Sequence, residues 1–175
     1  MAISVPVDDE VGQTVFVEAG GTLICLDQSG GLAIDLFKLS VRDVAHEASS
    51  DRFFCPGSIV RVELDPSQPI AYGMPARTAG FFSFSSAYEV AGPTTSAGHS
   101  GDLGPAPVQT IARYGAKDIL LSGWLEGEPV IAGRSAVVQA TVGAGRVVLI
   151  GFRAQHRAQS LATFRLLFNS ILTAH

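Results

Sequence analysis

The stretch from Gly145 to Leu172, GRVVLIGFRAQHRAQSLATFRLLFNSIL, holds the densest set of residues able to do chemistry. Arg153, Gln155, His156, Arg157 and Gln159 fall within about one helical turn of each other, between an apolar run and an amphipathic segment. Imidazole can move a proton near neutral pH, and guanidinium groups bind carboxylate or phosphate. Open α/β sheets place ligand crevices at the carboxyl ends of their strands, so Arg153, Gln155, His156 and Arg157 are candidates for a ligand-binding or interface site. Arginine at a helix N-terminus opposes the macrodipole, which calls for a neighbouring carboxylate or an anion. The plainer reading is a helix start in which Gln and His satisfy free N–H groups and the arginines are solvated.

The other motifs carry less. GAGRVV contains Gly-x-Gly but precedes a strand, so it cannot set a pyrophosphate on a helix N-terminus. AGHSGDLG around Ser100 is no nucleophile elbow, because Asp102 stands where the second glycine belongs. His46 is followed by Glu47 in neither zinc-hydrolase spacing, and Cys25 and Cys55 form no Cys-x-x-Cys pair. Both cysteines sit in apolar runs and read as buried free thiols. The expectation is no metal and no cofactor in this chain.

Net charge -4 gives no reason to expect nucleic acid. Charged residues are 16% and apolar ones 47%, which suggests that some apolar surface meets a partner. MAISVPVDDE lacks the features of a signal peptide, and no apolar run reaches the ~20 residues of a membrane helix, so the chain reads as soluble, in a compartment left open.

The elements that would position the polar cluster read as one domain over residues 1–175. Val11 to Ala19 reads as a helix closed by Gly20 and Gly21, and TLICLD, from Thr22 to Asp27, as a strand covered on both faces. QSGGLAIDLFKL has Leu32, Leu36 and Leu39 at helical spacing, completing one doubly wound unit. SIVRVELD alternates, with Val60, Val62 and Leu64 on its apolar face. The Gly- and Pro-rich stretch at about 92–107 reads as a mobile loop. TIARYG and DILLSGWL are short elements, and AVVQATVGAGRVVLIGF is a β-hairpin turning at GAG. A last helix, from about His156 to Leu172, carries Leu161, Phe164, Leu167, Phe168, Ile171 and Leu172 as a stripe expected to pack on a sheet.

FVEAGGTLICLDQSGGLAIDLF, FFCPGSIVRVELDPSQPIAYGMP and the segment from LLSGWLEGEPV to the end together resemble the C-terminal region of large bacterial zinc-carboxypeptidase-like proteins. There, a domain similar to the class I glutamine amidotransferases follows the peptidase domain. The resemblance covers roughly Val15 to Leu172. It implies a flavodoxin-like, mostly parallel, doubly wound α/β sheet with an antiparallel hairpin near the C-terminus. It also implies that zinc and the catalytic glutamate belong to an upstream peptidase domain. A sheet of this kind normally opens with a strand that is not found here. The domain is therefore expected to be N-terminally incomplete, with a short sheet and an unpaired edge.

Amidotransferases of this class use a cysteine on a Gly-x-Cys-x-Gly elbow and a histidine between the last strand and last helix. His156 occupies a similar place, but Cys25 has Leu23 and Asp27 at the two glycine positions and no glutamate follows His156. The resemblance therefore implies a noncatalytic accessory or interaction domain. Its expected partners are a peptidase domain, another copy of itself, or a peptide or carbohydrate near His156. The alternative is a cysteine hydrolase or amidotransferase-like enzyme using Cys25 and His156.

Overall fold

The computed structural model describes residues 10–91, 106–157 and 160–174. Its elements are α1 (Glu10–Glu18), β1 (Thr22–Leu26), α2 (Gly30–Leu36), β2 (Val41–Asp43), α3 (Val44–Glu47), β3 (Ser58–Leu64) and β4 (Arg77–Phe82). After these come β5 (Tyr88–Val90), β6 (Val108–Tyr114), β7 (Leu120–Ser122), β8 (Ser135–Val142), β9 (Gly145–Ile150) and α4 (Phe164–Leu172). Residues 92–105, most of the stretch read as a mobile loop, lie outside the described residues.

All nine strands belong to one sheet, in the order β1-β9-β8-β6-β3-β4, with β2 on β5, β5 on β8 and β7 on β3. β1 and β9 run parallel, and every other described pairing is antiparallel. The sheet curls, because Phe81 of β4 bridges to Arg153 just past β9 and so brings the two ends of that path together.

This overturns the expected flavodoxin-like, mostly parallel, doubly wound α/β sheet. A parallel crossover needs a connection that carries the chain back across a sheet face. Here α2 leads instead into three-residue β2, which pairs antiparallel with β5, and β8 turns directly into β9 through Gly143 and Ala144. The TLICLD run does form a strand parallel to another. Its neighbour is the last strand of the chain, and β1 is hydrogen-bonded on one side only among the described residues. Nor is the sheet short.

Other local readings hold. α1 ends into Gly20 at φ 110, and Val60, Val62 and Leu64 of β3 are buried. β8 and β9 carry continuous apolar runs because both of their faces are covered. Val137, Val148 and Ile150 join the larger core with Phe82, Tyr114 and Leu166, whereas Val138, Val147 and Leu149 join a second core with Val17, Ala33 and Tyr88.

The last helix differs most from expectation. It begins at Phe164, after a single 3-10 turn over Leu161–Thr163, and it docks through Leu166 and Ser170. Leu161, Phe168, Ile171 and Leu172 point outward, at 67, 55, 46 and 69% exposure. Thr163 and Ser170 turn inward without penalty because their hydroxyls donate to the carbonyls of Ala154 and Leu166, at 2.7 and 2.6 Å.

Candidate functional site

Because β1 and β9 are parallel, with Leu26 opposite Ile150, their two exits emerge side by side. The exit of β1 is a sharp turn. Ser29 folds back so that its hydroxyl accepts from the Leu26 N–H at 2.8 Å and donates to the Leu26 carbonyl at 2.7 Å. Asp27 takes the left-handed backbone at φ 56, a region that Asp tolerates better than most side chains. Its Oδ2 accepts from Arg153 Nε at 2.9 Å, while its buried Oδ1 has no hydrogen-bond partner among the described residues. The carboxylate expected beside the arginines is therefore supplied from within the chain, by Asp27.

Arg153 also donates its backbone N–H to the Phe81 carbonyl at 3.1 Å. The half-buried His156 ring lies on Phe81, centroids 4.5 Å apart and planes at 33°, and the His156 backbone N–H donates to Ser160 Oγ at 3.0 Å. Phe81 pairs with Ile59 on the outer side of β3 and β4, opposite Val60 and Phe82. Ile59, Phe81, His156 and Ser160 line a cavity of about 340 Å3 there. Arg153 and His156 thus share the Phe81 strand. Gln155 and Arg157 are exposed, Arg157 at φ 47, and Gln159 lies outside the described residues.

Cys25 is elsewhere. It sits in mid-strand, buried in the core that contains Ala33 and Tyr88, and burial pushes its thiol up to about 11. No described contact joins it to His156. Cys55 is also buried and free, and burial raises its pKa as well. Among the described residues no group of three or more His, Cys, Asp or Glu could hold a metal ion.

A second cavity, again about 340 Å3, opens beside Gln28 and is lined by His46, Ser50, Phe54, Phe84 and Ser85 among others. Sequence reasoning missed both Asp27 and this aromatic cavity. The available signals were an Asp between a strand and Gln-Ser-Gly-Gly, where left-handed backbone is tolerated, and a lone phenylalanine inside Ser83-Phe84-Ser85-Ser86.

No family model matches the sequence, and no curated protein matches it. Solved structures of similar fold include two from bacteria. One is the β-galactosidase from Bacillus circulans sp. alkalophilus, at TM-score 0.55 and 12% identity, covering 96% of this chain and 21% of that one. The other is a ThuA-like protein from Bacteroides uniformis, at TM-score 0.54 and 13% identity, covering 96% of this chain and 64% of that one. The chain spans about a fifth of the first protein and less than two thirds of the second, and at these identities the likeness is one of fold alone.

Proposed function

We propose that this chain is a noncatalytic accessory domain that works by contact. Its partner is the peptidase domain of a zinc-carboxypeptidase-like protein or, failing that, a second copy of itself. The observation that carries the reading is the outward face of α4. Phe168, Ile171 and Leu172 stand in solvent on this helix, with Leu161 in the 3-10 turn before it, and the helix's one charged residue, Arg165, reaches the Gly73 carbonyl at 2.9 Å. Tyr72, also exposed, lies in the segment that α4 docks on, where the Asn169 amide donates to its carbonyl at 2.9 Å. Contiguous apolar patches larger than a few hundred Å2 are uncommon on a monomer unless something covers them. The choice of a peptidase domain as partner comes from the sequence resemblance.

The cysteine-hydrolase alternative lacks support in the geometry. A nucleophilic thiol needs exposure and a lowered pKa. Cys25 has neither, and the turn where a nucleophile would project is occupied by Asp27, already held by Arg153.

The test is sedimentation velocity at micromolar concentration, with the chain alone and mixed with a zinc-carboxypeptidase-like domain from the same genome. Association in one of the two samples is expected. It should be lost in Phe168→Asp/Leu172→Asp, which keeps the wild-type circular dichroism because both side chains already face water. A wild-type chain that stays monomeric in both samples overturns the reading, as does a Cys25-dependent amidase activity.

A further inference from the structure

Three aromatic rings form a row, and two of them, Phe54 and Phe84, line the cavity beside Gln28. Phe54 stands edge-to-face between Phe84 and Trp124, with centroid separations of 5.9 Å to each and interplanar angles of 73° and 82°. Phe84 is 54% and Trp124 59% exposed. Leaving such rings in water forgoes about 1–2 kcal/mol of burial each. Phe84 is costlier still, because it holds the left-handed backbone at φ 50, a conformation that costs a bulky residue about 1–3 kcal/mol.

The surroundings hold both rings in place. Gln28 Nε2 donates to the Phe84 carbonyl and Phe84 N–H to the Cys55 carbonyl, at 2.9 and 3.0 Å. The indole N–H of Trp124 donates to Glu126 Oε1 at 2.9 Å, and its backbone N–H to Ser58 Oγ at 3.0 Å. Rings fixed outward at a cost in strain and exposure are a prepared surface, and the contact that offsets the cost must lie against them.

The lining sets the chemistry of that contact. Among the described residues it includes no lysine, arginine, aspartate or glutamate. Within that lining a phosphate or carboxylate would find no lysine or arginine, and the Glu126 carboxylate beside the row already accepts from the Trp124 indole N–H. Polar capacity is nevertheless present. Gln28 spends its amide N–H on Phe84 and keeps its carbonyl oxygen, and Ser85 Oγ accepts from Ser83 N–H at 3.0 Å and keeps its proton. The side chains of His46 and Ser50 make no hydrogen bond within the described residues, and the Asp43 carboxylate aims α3, which carries His46, by accepting from the Ala45 and His46 N–H groups at 3.2 Å each. A purely aliphatic ligand would leave these groups unpaired.

We infer that the cavity walled by Phe54 and Phe84 is a binding site for a neutral saccharide. The sugar's C–H face lies on the exposed aromatic rings, and its hydroxyls meet Gln28, His46, Ser50 and Ser85. A sugar is uncharged, apolar on its axial faces and rich in hydroxyls, and its polarised C–H groups suit the negative faces of aromatic rings. The cavity's volume is at the small end of the range for ligand pockets. The inference rests on reading the chain as a binding module and adds the class of ligand.

Trp124 is the only tryptophan in the chain and stands edge-to-face on Phe54, so its emission reports on the ring row that borders the cavity. The full chain is titrated with neutral tetrasaccharides of glucose, xylose and N-acetylglucosamine, and separately with N-acetyl-phenylalaninamide, with calorimetry in parallel. A saturable emission change and a binding heat are expected with at least one tetrasaccharide. Phe84→Gly, which accepts the left-handed backbone without strain, should fold at least as stably and bind roughly tenfold more weakly. No saccharide binding up to about 10 mM overturns the proposal. So does unchanged affinity in Phe84→Gly, or binding of the amide without binding of any sugar. Sedimentation reads the α4 contact separately, so a negative titration leaves the accessory-domain reading to its own test.

Discussion

Asp27 and Arg153 are 126 positions apart and joined by a 2.9 Å ion pair that ties the exit of β1 to the exit of β9. The aspartate side chain is 18% exposed and the arginine 38%, so the pair is partly desolvated and removing one partner leaves the other charge uncompensated. Arg153→Met should cost about 1–3 kcal/mol in urea denaturation, because it strands a half-buried carboxylate. Asp27→Asn keeps the tolerance for φ 56, and with Arg153→Met it should cost less than the sum of the two single changes. Strict additivity would show that the pair is only a surface contact.

Cys25 should behave as an inert core thiol. In the native protein we expect iodoacetamide at neutral pH to leave it unmodified, with both cysteines reacting once the chain is unfolded. Mass spectrometry of peptides from native and denatured samples checks this.

The same thiol gives a signed pH effect. Its folded pKa of about 11 lies above the ordinary value of 9.0, so its contribution to stability is fully present below pH 9 and lost as pH rises towards 11. The loss is at most about 3 kcal/mol. Cys25→Ala should show a flatter decline in unfolding free energy across that window than the wild type. Parallel curves would mean that the thiolate is solvated in the folded chain.

The 3-10 turn and α4 place two leucines five residues apart in opposite surroundings. Leu166 is fully buried and Leu161 two-thirds exposed. Leu166→Ala should cost about 2–5 kcal/mol and Leu161→Ala less than about 0.5 kcal/mol in chemical denaturation of the chain alone. Equal costs would place α4 in the register that its apolar stripe suggests.

Gly145 opens β9 where three backbone segments converge. A methyl group there would overlap the carbonyl oxygens of Val17 and Gly21, and neither can yield as a flexible side chain would. Gly145→Ala should destabilise by about 2–4 kcal/mol. At Gly133, which has φ 67 and open space around it, alanine should cost only about 1 kcal/mol of backbone strain. Thermal unfolding of the two variants distinguishes crowding from strain.

What the sequence determined by itself is local. The alternation of Val60, Val62 and Leu64, the turn at Gly143 and the end of α1 at Gly20 are set by side-chain period and backbone tolerance within a few residues, and the structure keeps all three. Pairing direction is not local. TLICLD reads as a buried parallel strand, but only the folded chain makes β9 its partner and runs the remaining described pairings antiparallel. The same holds for the site. That Asp27 neutralises Arg153, that Cys25 and His156 lie in different surroundings, and that Phe54, Phe84 and Trp124 form one row are decided by contacts between distant segments. The face that α4 presents is decided in the same way. Thr163 and Ser170 can be buried because carbonyls meet their hydroxyls, a compensation that no apolar pattern records, and so the apolar stripe is left to face outward.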